Sequence, residues 1–271
     1  MTEQALYRLV APDNDLIPLV NCFWVVVDED SAPSERKIIP DGYPELIFHF
    51  GDPYEIRLGD RWEPQAHCLA AGQFSRHFHL RNTGRTAMIG IKLQPWALAQ
   101  MTGRPMHEMK ERVLPFHDVC DEARLLETAA FSSSRVDEQI SLISQALRTL
   151  RPRPAPPALV VDGVGAIIDH HGALSVSEIC MRLGANERAL ERAFAQWIGL
   201  TPKLYSRLIR LSSIFKGVAG EGPRLRDLPF DAGYYDQPHF QREFKRFTGE
   251  TPSRYEFAQQ CMANLFLNRS S

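Results

Sequence analysis

Near its C-terminal end the chain repeats itself at an offset of 50 residues. Arg192-Ala193-Phe194 returns as Arg242-Glu243-Phe244, Gly199-Leu200-Thr201-Pro202 as Gly249-Glu250-Thr251-Pro252, Tyr205 as Tyr255 and Leu190 as Phe240. Agreement at this many positions under one spacing means that one supersecondary unit is used twice. In the first copy, Ile179 and Leu183 share a helical face and Gly184 stops the helix, as a residue without Cβ does at a left-handed C-cap. Asn186 is a suitable N-cap for the next helix, whose inner face is Leu190, Ala193 and Phe194. Two short helices joined by a tight turn containing Gly are the helix-turn-helix pattern. Gly199 then ends the second helix, and Thr201-Pro202 supplies an N-cap with Pro at the first helical position.

The second copy has the same parts: Leu225, Leu228 and Ala232, then Gly233, the N-cap Asp236, inward Phe240 and Phe244, the stop Gly249, and Thr251-Pro252 to begin another helix. Between the copies a helix from Pro202 to Ala219 is expected, roughly 27 Å long at 1.5 Å per residue. Neighbouring major-groove faces on one side of DNA lie roughly 34 Å apart, so such a helix could set two readers in successive grooves. The outer faces carry Arg188, Glu191 and Arg192 in the first copy. In the second they carry Gln237, Pro238, Gln241 and Arg242, with His239 beside them. Arg matches guanine bidentately, Gln matches adenine and Glu accepts from cytosine. Taken singly, each is an ordinary solvated helix position; the duplication is what turns the balance toward DNA contact.

From Ala158 to about Tyr255 the chain resembles the DNA-binding domain of the AraC/XylS transcription regulators. The most specific stretch is Gly233-Tyr234-Tyr235-Asp236-Gln237-Pro238-His239-Phe240, followed by Arg242, Phe244, Gly249 and Thr251-Pro252. The resemblance implies two reading heads and, usually, an N-terminal sensing or dimerising domain. The chain departs from the pattern at Pro229, inside the first helix of the second motif, where the family commonly has a small residue. Proline in a helix interior costs roughly 3 kcal/mol, so a short or bent helix is expected there.

Arg151–Pro157 reads RPRPAPP, a semi-rigid spacer that neither helix nor sheet accommodates. It divides the chain into an N-terminal domain over 1–150, a linker over 151–157 and a DNA-binding domain over 158–271. The expected fold class is α+β: a β-rich N-terminal domain with flanking helices, a cupin-like barrel being one form of it, followed by an all-α domain with two helix-turn-helix motifs joined by a long helix. Strands are expected at Cys22–Val27, Leu46–Phe50, His77–Leu80 and Met88–Leu93, and helices at Trp96–Met101, Glu108–Val113 and Ser134–Leu150. The apolar stripe of the last is suited either to its own domain or to a second copy of itself. Ile39-Pro40-Asp41-Gly42 followed by Glu45-Leu46-Ile47 resembles a poorly characterised domain found ahead of such readers.

Net charge is −2, but it is unevenly placed: the chain up to Pro157 holds 17 Lys and Arg against 21 Asp and Glu, and the remainder 14 against 12. Five scattered cysteines without a CxxC pair suggest neither a disulfide framework nor structural zinc. With no signal-peptide pattern and no apolar run near 20 residues, a cytoplasmic protein is expected. No Walker loop, dinucleotide fingerprint or nucleophile elbow is present, so a regulator without cofactor or metal is expected, not an enzyme. Gly72 with His77-Phe78-His79 resembles the Gly…His-x-His of metal-binding cupins. The partner Glu is missing, and ordinary strand histidines are expected. Trp24, His49, His77 and His79 are the candidates for touching a small effector, and Trp62, Trp96 and the Phe48-His49-Phe50 run are further aromatics for such a pocket. The expected partners are promoter DNA, a small-molecule effector, RNA polymerase and a second copy of the chain.

Overall fold

The computed structural model describes residues 6–150, 153–220, 234 and 236–255. Among these residues ten strands make two antiparallel sheets: β1 (Leu6–Val10), β2 (Val20–Asp28), β3 (Glu35–Ile38), β4 (Glu45–His49), β5 (Glu55–Leu58), β6 (Arg61–Pro64), β7 (Cys68–Ala71), β8 (Phe78–Arg81), β9 (Thr86–Leu93) and β10 (Val113–Pro115). The larger sheet runs β1-β2-β9-β4-β7-β10 and the smaller β3-β8-β5-β6. Strand periodicity sends alternate residues to opposite faces. Phe23, Val25, Leu46, Phe48, Ile89 and Ile91 therefore pack on α1 (Ala97–Thr102), α2 (Ala123–Phe131) and α3 (Val136–Arg148). Trp24, Val26 and Met88, on the other face, pack with Tyr54, Ile47 and Leu80 between the sheets. Gly90 lies opposite both Trp24 and Ile47. A Cβ there would fall 1.9 Å from the Trp24 indole, so glycine is what lets that ring lie flat across β9.

The helices α4 (Ala158–Asp169), α5 (Val176–Leu183), α6 (Glu187–Trp197), α7 (Pro202–Gly220) and α8 (Gln237–Thr248) share a second core around Val164, Ile179, Leu190, Phe194, Leu208 and Phe244. Most of their ends are set by residues that the repeat singled out, the N-terminus of α5 being an exception. Ser175 and Glu178 form a capping box on α5, and Gly184 closes it at φ +59°. The Asn186 side chain accepts from the Ala189 amide at 2.8 Å, Thr201 from Leu204 at 3.2 Å and Asp236 from His239 at 2.6 Å. At 19 residues α7 is about 28 Å long. The α3 stripe of Ile140, Ile143, Ala146 and Leu147 is spent on its own domain's core.

Glu108–Val113 is not a helix. Met106–Glu108 makes one 3₁₀ turn, Glu111 sits at φ +57°, and Val113–Pro115 leaves as a strand on β7. Met106 and Met109 are buried, but a left-handed residue such as Glu111 cannot continue a helix. Thr251–Tyr255 is a turn. Leu225, Leu228, Pro229, Ala232 and Gly233, and with them the expected bend at Pro229, lie outside the described residues.

Candidate DNA interface and effector cavity

In α6 the inner residues Leu190 and Phe194 are fully buried, and this fixes the outer face: Arg188, Glu191 and Arg192 are exposed. α5 and α6 meet through the turn at Gly184, which is the geometry of a helix-turn-helix. In α8 the inner residues Phe240, Phe244 and Phe247 are buried, and Gln237, Pro238, Gln241 and Arg242 are exposed. The His239 ring is half-buried, 3.1 Å from the Glu243 carboxylate and edge-on to Tyr234, so it turns away from Gln241 and Arg242.

Glu243 stands where the first copy has Ala193. It is buried against α7, where the Arg207 guanidinium donates to it at 2.7 Å, and the Arg207 cation also lies over the Phe247 ring. Nothing in the repeat pattern marked Glu243; the signal that could have found it is an acidic residue at the inner position of an apolar helix face.

Between the two sheets is an apolar cavity with about 80 Å³ for the centres of water-sized spheres, several times what one water needs. Trp24, Ile47, Tyr54, Phe74, Leu80 and Met88 wall it, and Asp41, Glu45, His49, Gln65 and Gln73 supply its polar groups. Of the expected effector residues, Trp24 and His49 come together here. His77 and His79 do not: His77 Nδ1 lies 3.2 Å from the Phe247 carbonyl and His79 Nδ1 lies 2.6 Å from Glu35. Trp62 is on the surface under Arg57 and Arg81, Trp96 packs at the seam of the two large cores, and Phe48 faces the helices. Among the described residues no group of three His, Cys, Asp or Glu is placed to hold a metal.

Burial dominates the electrostatics of the cavity. It pushes Glu45 up to about 7 against the pull of Lys92, and His49 down to about 4. Lys92 is also buried, but Asp41, whose carboxylate it meets at 2.5 Å, and Glu45 outweigh that and hold it protonated. Trp24 Nε1 donates to Glu45 at 3.2 Å, and Gln73 donates to the Gly42 carbonyl at 2.8 Å.

Among the described residues, three of the contacts between the two halves rest on glycines. The loop Ile39–Tyr43 walls the cavity and also lies on α7: Ile39 belongs to the helical core, and a Cβ on Gly42 would meet Ile209 at 3.0 Å and Tyr205 at 3.1 Å. Gly199, one residue past the Ile198 cap of α6 and at φ +83°, is seated on the Met106 carbonyl, which a Cβ would approach to 2.5 Å. Gly249, the cap of α8 at φ +80°, is seated on His77, which a Cβ would approach to 2.6 Å.

Residues 179–256 match the helix-turn-helix domain family. The C-terminal part is an AraC-type helix-turn-helix domain. A chain built around an AraC-type domain is a DNA-binding transcription regulator. Residues 8–115, ahead of the AraC-type domain, match a domain of unknown function, DUF6597. Among solved structures the chain is similar to ToxT from Vibrio cholerae, at 10% identity, 86% of this chain, 96% of that one and a TM-score of 0.49. It is also similar to the wild-type ToxT of strain SCE256 bound to an unsaturated fatty acid, at 10% identity, 94% and 96% coverage and a TM-score of 0.46. The AraC-like transcriptional activator CuxR is similar at 15% identity, 77% and 86% coverage and a TM-score of 0.31. No curated protein matches the chain. Among the described residues no helix is long and apolar enough to cross a membrane.

Proposed function

We propose that the chain is a one-component cytoplasmic regulator in which a small effector in the N-terminal cavity governs how two heads read promoter DNA. Arg188, Glu191 and Arg192 of α6 read one groove, and Gln237, Pro238, Gln241 and Arg242 of α8 read the next, with His239 steadying α8 from its edge. The linker 151–157 separates an effector domain over 1–150 from the reading domain over 158–271. RNA polymerase is the downstream partner, and a second copy, if engaged, uses a face other than the buried stripe of α3.

The observation that carries this reading is the double role of the loop Ile39–Tyr43. The same short segment walls the cavity and packs against Tyr205 and Ile209 of the helix that joins the two heads. A ligand that shifts the loop shifts α7, provided it binds the two arrangements with different affinity.

The test is selection of short promoter fragments by the full chain, with sequencing of the retained fraction at several salt concentrations. The expected result is an asymmetric motif with two half-contacts about one helical turn apart, lost steeply as salt rises through counterion release. Ala71→Trp, which fills the cavity from β7, is expected to change affinity for that motif. Absence of any enriched motif, or retention insensitive to salt, would overturn the reading.

A further inference from the structure

The charges facing the cavity are one-sided. Its lining includes two carboxylates, Asp41 and Glu45, and, among the described residues, no Lys or Arg. Lys92 answers Asp41 from behind that lining, leaving one positive group against two acids in the cluster. The other end of the cavity is different in kind. His49 is 2% exposed, and neither ring nitrogen has a hydrogen-bond partner, Gln65 lying near it outside bonding geometry. A buried polar group left unmet in this way costs free energy that a ligand can recover. Glu45, Ile47 and His49 are alternate residues of β4, so all three face inward, with the outer two about 13 Å apart along the strand at roughly 3.3 Å per residue.

We propose that the cavity takes an organic cation: an aryl or alkyl amine whose ammonium sits on Glu45, whose apolar body lies along Ile47, and whose far end hydrogen-bonds the His49 ring. In a site with mainly apolar walls, an ammonium and a carboxylate attract more strongly than in solution. The rings of Trp24 and Tyr43 add attraction for a cation at the same end. The His49 imidazole, held neutral by burial, offers one donor and one acceptor to a hydroxyl or amide. A carboxylate ligand would instead meet two acidic side chains, Asp41 and Glu45, with no cation in the lining to answer it. The inference rests on the reading of the cavity as the effector site and adds the chemistry of what enters it.

Calorimetric titration of the full chain at pH 7 with four matched probes tests it: tyramine, its alcohol tyrosol, hydroxyphenylpropionate, and phenethylamine, which lacks the phenol. Tyramine is expected to bind about tenfold tighter than tyrosol, the acid more weakly than either, and phenethylamine severalfold more weakly than tyramine. Glu45→Gln keeps an acceptor for Trp24, so it should erase the advantage of tyramine over tyrosol; cooperative thermal unfolding of the variant, read by circular dichroism, shows that the fold is intact. Should that variant fail to fold, the ranking of the four probes on the unaltered chain still decides the matter. Tightest binding by the acid, or equal binding by amine and alcohol, overturns the inference. Uptake of the neutral probe N-phenylnaphthylamine, blocked by Ala71→Trp, reports on the cavity separately. If that probe enters and the amines do not, the cation inference alone fails; if it too is refused, the effector reading fails with it.

Discussion

The backbone amide of His77 donates to the carbonyl of Phe247 at 2.8 Å, so the N-terminal domain satisfies one of the carbonyls that the last turn of α8 leaves open. Beside it Lys37 of β3 is ion-paired with Glu250, just past the cap of the same helix. Lys37→Glu is expected to loosen this contact and to speed hydrogen exchange at the His77 amide. Lys37→Glu with Glu250→Lys should restore protection. The pair is partly exposed, so its contribution is about 1 kcal/mol or less. Unchanged exchange in the single variant would mean that the amide bond holds without the ion pair.

Arg207 and Glu243 are unequal partners, since Arg207 keeps some solvent while Glu243 has almost none. Arg207→Ala strands a buried carboxylate and should cost about 3–5 kcal/mol in chemical denaturation. Glu243→Gln leaves an acceptor for a guanidinium that still reaches water, and should cost clearly less. Equal losses would mean that the Arg207 stem packed on Phe247 matters more than its charge.

Acid stability should depend on two groups that oppose each other. His49 is held below its ordinary range, so the native state loses stability as pH falls from about 6.5 toward about 4, where the buried ring must take a proton. Glu45 is held above its range, so stability is lost as pH rises from about 4.5 through about 7. In the unaltered chain the windows overlap and partly cancel. Glu45→Gln should expose the His49 slope, with melting temperature falling on acidification. His49→Gln should expose the opposite slope, and two parallel profiles would contradict both assignments.

The outer faces of α6 and α8 make separate predictions. Arg192→Ala and Arg242→Ala should each cost about 1–3 kcal/mol of binding to the selected fragment and relax base preference at one half-contact only. A uniform loss on every fragment, with a shallower salt slope, would make the arginine a phosphate contact.

Local chemistry was readable from the sequence wherever the signal is local. Thr, Asn and Asp caps, the left-handed glycines and the helical spacing of Leu190 and Phe194 each act within one or two turns, and the C-terminus of α5 and the N-termini of α6, α7 and α8 follow them. The cavity was not readable in this way. Trp24 and His49 meet because β2 and β4 both pair with β9, and that pairing is set by residues far apart in the chain. Trp62 has the same composition signal as Trp24, yet lies on the outside of a strand. The helix expected at Glu108–Val113 is absent because the 3₁₀ turn at Met106–Glu108 runs into Glu111 at positive φ, a backbone conformation that no residue type in the segment announces.

Gly199 and Gly249 occupy the same place in the two copies of the repeat, and both rest on the N-terminal domain. Duplication alone gives two readers whose separation is set by α7 and free to vary with its bending. Seating both on one N-terminal domain, Gly199 on Met106 and Gly249 on His77, turns that separation into a fixed gauge. An operator whose two half-contacts are moved apart by one base pair should then be refused even though each half-contact is intact. Spacing, as much as sequence, becomes something that the effector domain measures.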